Sequence, residues 1–65
     1  SGEQRFFSSA GTVLVFSMSE QVEVSVDNNA QQLGRHDCLQ LEADAGLLDV
    51  ATKGLCCVIE LTSRD

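Results

Sequence analysis

The stretch Gln21-Val22-Glu23-Val24-Ser25-Val26 alternates polar and apolar residues, and this period of two constrains the chain more than any other feature. Successive side chains of a strand point to opposite faces, so the three valines share one face and Gln21, Glu23 and Ser25 the other. Asp27-Asn28-Asn29 follows, and these residue types tolerate a left-handed backbone, which predicts a turn. A short return over Ala30 to Leu33 ends at Gly34, and Gly34-Arg35-His36-Asp37 reads as a second turn. Cys38-Leu39-Gln40-Leu41-Glu42 then alternates again, with Leu39 and Leu41 expected to face inward.

Two other segments lack alternation. Thr12-Val13-Leu14-Val15-Phe16-Ser17, preceded by Gly11, is a continuous apolar run whose length and β-branching suit a strand covered on both sides. Leu55 to Thr62 reads the same way after a Lys53-Gly54 turn, and Leu47 to Ala51 can form a short strand between them. Ala43-Asp44-Ala45-Gly46 carries helix formers but is too short and ends in Gly, and no segment holds a helical stripe for three turns. The expected class is all-β, about six to seven short antiparallel strands forming a sandwich or barrel.

Size limits how far such a barrel can close. A chain of 65 residues buries roughly 60% of its unfolded surface, the margin of independent stability. An eight-stranded jelly roll does not fit, so a single half-barrel domain over residues 1–65 is expected, with open strand edges that need a partner. The chain starts at Ser1 rather than Met, which suggests a trimmed chain or a piece of a longer one.

Ten acidic against four basic residues give a net charge of −6, and the cations Arg5, Arg35, Lys53 and Arg64 are scattered. Phosphate neutralisation and aromatic stacking are both missing from that pattern, so nucleic acid is not an expected partner. Acidity likewise disfavours anionic lipid, and no apolar run is long enough to span a bilayer. Three cysteines without a CxxC spacing, and no basic-then-apolar leader, fit reduced thiols in the cytoplasm.

Candidate chemistry is sparse. His36 is the one histidine, and a zinc or non-haem iron site needs two to four converging ligands, so no metal is expected. Its plainer reading is a turn residue beside Asp37. Cys56 and Cys57 are adjacent on a strand and therefore face opposite ways, at least one of them buried. At least two of Cys38, Cys56 and Cys57 are expected to act as small buried hydrophobes. Glu23, opposite the valines, and Glu60, inside the last apolar run, are the carboxylates that could serve a ligand. Glu60 has a plainer reading as a marker of the solvent side of an edge strand.

The order of the pieces is informative as a whole. A Gly-Thr-Val-Leu-Val-Phe strand precedes Val-Glu-Val-Ser-Val and a polar turn; then come Gln-Gln-Leu-Gly-Arg-His-Asp-Cys-Leu-Gln-Leu-Glu, a short Leu-rich strand, and Cys-Cys-Val-Ile-Glu-Leu. This order resembles the C-terminal cupin half of the HutD/Ves family, small bicupin proteins linked to histidine utilisation in bacteria. The likeness runs from Arg5 to Leu61, and Leu33 to Glu42 matches the Leu-Gly-x-x-Asp element and following strand common to cupins. The C-terminal cupin of phosphomannose isomerases has a similar rhythm.

The resemblance implies a cupin-like jelly-roll half-barrel with a structural, regulatory or small-metabolite-binding role rather than an enzymatic one. Metal-binding cupins carry an HxH motif with a downstream Glu and a further His, and this chain departs from that pattern, so no cofactor is implied. The family's other cupin half is absent, which makes the N-terminal half of the same protein, or a second chain, the expected partner. A non-catalytic C-terminal lobe of a sugar-phosphate isomerase-like enzyme is the alternative, and a plain β-rich interaction module a third.

Overall fold

The computed structural model describes residues 2–43 and 46–62; Asp44, Ala45 and Arg64 lie outside the described residues. Seven strands follow in chain order: β1 Glu3–Ser8, β2 Thr12–Ser17, β3 Val22–Val26, β4 Asn29–Leu33, β5 Cys38–Glu42, β6 Leu48–Lys53 and β7 Cys56–Leu61. They form a four-stranded sheet in the order β1-β6-β3-β4 and a three-stranded sheet in the order β5-β2-β7. Every pairing is antiparallel.

The pairing is nested about one hairpin. β3 pairs with β4, β2 with β5 and β1 with β6, so the chain doubles back on itself and wraps into two facing sheets. This is the pairing scheme of a jelly roll, built here from six strands, with β7 added along the free edge of β2. Because β1, β4, β5 and β7 remain sheet edges, the barrel is not closed by hydrogen bonds. The result is a cupin-like jelly-roll half-barrel, all-β as the alternation predicts.

The hairpin at the centre has a two-residue loop, since Val26 faces Asn29. Asp27 and Asn28 both have positive φ, 49° and 69°, the signature of a type I′ turn that matches the twist of the flanking strands. Gly54, in the β6–β7 turn, has a φ of 103°, and a Cβ there would lie 2.6 Å from the Gln21 carbonyl oxygen. Only glycine lets this turn pack against the start of β3.

The core lies between the sheets. Val22, Val24 and Val50 from one sheet meet Val13 and Val15 from the other, and all five are fully excluded from solvent. Burying each contributes about 1.5–3 kcal/mol. Leu39 and Leu41 are half-buried and pack on this cluster with Val26 and Val58, so the inward faces are those that alternation predicts. Ser8, Ser17 and Thr52 are also buried, and no buried side-chain polar atom lacks a partner among the described residues.

One strand was not marked by the sequence pattern, and two expectations need correction. β1 is a strand although its sequence shows no alternation, because it sits at a sheet edge and buries only its last residue. The run Val13–Phe16 is covered on one face only: Val13 and Val15 are buried while Leu14 and Phe16 are half-exposed on the other side. The cysteines are less buried than their hydrophobicity suggests. Cys56 is half-buried against the core, whereas Cys38 and Cys57 are exposed on the outer face of the three-stranded sheet. Cys56 and Cys57 do face opposite ways.

Candidate functional site

Cross-strand register assembles a row of charge on the outer face of the four-stranded sheet. Lys53 of β6 lies between Glu3 of β1 and Glu23 of β3. Its Nζ stands 3.9 Å from Glu23 Oε1, and the amide of Gln32 donates to Glu23 Oε2 at 3.2 Å. The next row is small, with Ala51 between Arg5 and Ser25, and Ala30 beyond Ser25. These short side chains sink the middle of the sheet face into a recess of about 170 Å³ that Asn28 and Asp49 also line.

Arg5 and Asp49 form the far wall. Arg5 Nε donates to Asp49 Oδ1 at 2.8 Å and an Nη to Oδ2 at 2.5 Å, a two-pronged ion pair. The guanidinium lies 5.9 Å from the Phe7 ring centroid, within cation–π range. The bond from Arg5 holds the Asp49 carboxyl below the usual carboxylate range, and Asp49 in turn raises the Arg5 guanidinium. The recess thus carries both signs of charge around a small neutral floor. Such an arrangement suits a compact ligand bearing both an ammonium-like and a carboxylate-like group.

The three residues singled out by sequence lie on three separate surfaces. Glu23 lines the recess. His36 sits in the β4–β5 turn with a left-handed backbone, φ 71°, and its amide donates to the Ser17 carbonyl at 3.0 Å. That turn is also held by the Gly34 amide, which donates to Asp37 Oδ2 at 2.7 Å. Glu60 is on an edge strand, but on its core-facing side, across from Val13. Ser8 Oγ donates to Glu60 Oε1 at 2.5 Å, and the Ala10 amide donates to the same hydroxyl at 3.1 Å. The pair clasps β1 of one sheet to β7 of the other, where the barrel edges are open. Among the described residues no group of three or more His, Cys, Asp or Glu side chains is placed to hold a metal ion.

A second recess opens between the edges of β1 and β7 and is walled by Gln4, Thr52, Leu55, Cys56 and Val58. Its walls are mostly apolar and offer a ligand no charged group. Sequence reasoning missed Arg5 and Asp49 as a unit because they are 44 residues apart and meet only through the β1–β6 register.

Comparison with known proteins places this fold. No family model matches the chain. It is 48% identical, over 64 residues, to an uncharacterised 21.2 kDa protein in the hutC 3′ region of Pseudomonas putida. It superposes with a TM-score of 0.85, at 55% identity over 98% of its length, on HutD from Pseudomonas fluorescens SBW25, solved in a formate condition. The chain is HutD-like along nearly its whole length. It spans about a third of each relative, 34% of the Pseudomonas putida protein and 33% of the solved HutD chain.

Proposed function

We propose that the chain is a non-catalytic, cupin-like domain of a HutD-type protein that binds a small metabolite in the cytoplasm and acts in the regulation of histidine utilisation. The observation that carries this reading is the recess on the four-stranded sheet, where Arg5, Lys53, Glu23 and Asp49 surround a floor of Ser25, Ala30 and Ala51. Its volume of about 170 Å³ is well below the roughly 300–1,000 Å³ of sites for drug-sized ligands. An amino-acid-sized zwitterion fits it in both size and charge.

The non-catalytic part of this reading is supported by how the titratable groups are engaged. Glu23, His36 and Glu60 do not converge, and Glu60 is engaged by the Ser8 hydroxyl. Within the recess Asp49 is held by Arg5 and Glu23 by Lys53 and Gln32, so neither carboxylate stands free as a general base. The centre between the sheets is filled by Val13, Val15, Val22, Val24 and Val50, and the opening beside them, walled by Thr52, Cys56 and Val58, offers no charged group.

The test is thermal denaturation of a full-length HutD-type protein carrying this segment, with L-histidine and the intermediates of its breakdown as probes. A true ligand at about 100 times its Kd adds about 2.7 kcal/mol. Stabilisation that disappears in Glu23→Gln and in Arg5→Gln supports the reading. Stabilisation by none of these probes, or stabilisation indifferent to both substitutions, overturns it.

A further inference from the structure

The outer face of the three-stranded sheet carries a ribbon of apolar side chains two strands wide. Its rungs follow from the β2–β7 register: Thr12 beside Leu61, Leu14 beside Ile59, and Phe16 beside Cys57. The Met18 amide donates to the Leu55 carbonyl at 2.9 Å and adds a fourth rung. Seven of these eight residues are apolar. Met18, Leu55, Ile59 and Leu61 are between 40% and 63% exposed, and they make up four of the six large hydrophobics exposed among the described residues. Scattered exposed apolar residues are ordinary, but a contiguous ribbon marks a surface that something covers.

The two outer faces of the half-barrel differ in this respect. The four-stranded sheet presents Glu3, Arg5, Glu23, Asp49 and Lys53, and it has no need of a cover. On the three-stranded sheet β5 adds Cys38, Gln40 and Glu42, so the apolar strip runs along β2 and the edge strand β7 and reaches β5 only at Cys38, beside Phe16. The relatives that match this chain along nearly its whole length continue for about twice as many residues again. A polypeptide of that size, tethered to this domain, is the occupant at hand.

We propose that the β2–β7 ribbon is the surface on which the remaining two thirds of a HutD-type polypeptide packs. The ribbon completes the second side of the apolar runs in β2 and β7, which read as strands covered on both faces. It involves none of the residues of the charged recess, so the two proposals fail independently.

Cys57 lies within the ribbon, beside Phe16, and its exposed thiol reports on the cover directly. The experiment compares alkylation of Cys57, mapped by mass spectrometry, in two proteins. One is this chain alone; the other is Pseudomonas fluorescens HutD with its matching third replaced by this chain. Rates are normalised to the same thiol in denaturant. The expected result is at least tenfold slower labelling in the chimaera, with fast labelling restored by Ile59→Glu while the far-ultraviolet spectrum of strand is retained. Leu61→Gln provides a milder second variant if Ile59→Glu does not fold. Equal labelling in the two proteins overturns the proposal. So does a Cys57 that is already protected in the chain alone and becomes reactive on dilution, since a second copy would then be the occupant.

Discussion

Truncating Val24 to alanine tests the register on which both surfaces depend. Val24 is fully buried between the sheets, level with Thr52 and Gln31, and its neighbours in the chain, Glu23 and Ser25, face the charged recess. The change removes two methyl groups, worth about 1.6 kcal/mol of lost transfer free energy at roughly 0.8 kcal/mol each. If nothing relaxes, a void of about 50 Å³ adds about 1.2 kcal/mol at roughly 24 cal/mol per Å³. The expected cost is therefore about 1.6–2.8 kcal/mol. Total stability at this length is about 3–10 kcal/mol, so the loss is a large share of it. With a sensitivity of about 4–8 °C per kcal/mol in small domains, the midpoint should fall by about 6–22 °C. Glu23→Ala removes an exposed ion pair and one amide contact, and should cost under about 1 kcal/mol. Urea denaturation followed by circular dichroism measures both. A Glu23→Ala variant more damaged than Val24→Ala would refute the register, because a slip of one residue exchanges the two faces.

Three further outcomes follow from particular contacts. Ser8→Ala leaves the Ala10 amide and the Glu60 carboxylate without their shared hydroxyl and should cost about 1–3 kcal/mol in the same assay, whereas Ser9→Ala, at an exposed position, should be silent. Gly54→Ala should cost at least about 1–3 kcal/mol, since its backbone is left-handed and the new Cβ meets the Gln21 carbonyl; a neutral result would mean that this turn does not pack on β3. Asp49 has a carboxyl pKa lowered by Arg5 in the folded state, so its ion pair contributes stability above the ordinary carboxylate range, near pH 4, and loses it as pH falls through the lowered value. Denaturation at a series of pH values should show Asp49→Asn less stable than the parent at neutral pH and the difference closing in acid; a gap that stays constant to low pH would contradict the pairing.

The strands that alternate were legible because one buried face leaves its mark on every second residue. Val22, Val24, Leu39 and Leu41 point where that mark puts them, and the Asp27-Asn28 turn follows from the backbone those residue types accept. β1 left no such mark. Phe6 and Phe7 are adjacent, so one faces the core and the other lies over the solvent side, and the strand exists through its register with β6. The runs in β2 and β7 were read as covered on both sides, but within this chain only one side is covered, and apolar sequence alone does not say whose atoms supply the second cover. Glu23 could be singled out from its own strand. Arg5, Asp49 and Lys53 join it only after three strands are set side by side, and Ser8 with Glu60 only after the two sheets close on each other. Local pattern carries strand and face; long-range pairing carries the site.

Backbone amide shifts of the isotopically labelled chain, titrated with L-histidine, give the most direct test of where a metabolite binds. A ligand seated as proposed moves the amides of Arg5, Glu23, Ser25, Ala51 and Lys53 in a saturable way and leaves Leu55, Cys56 and Val58 in place. Saturable shifts gathered instead at Leu55, Cys56 and Val58, in the opening between β1 and β7, would contradict the account and move the site to the mouth of the barrel.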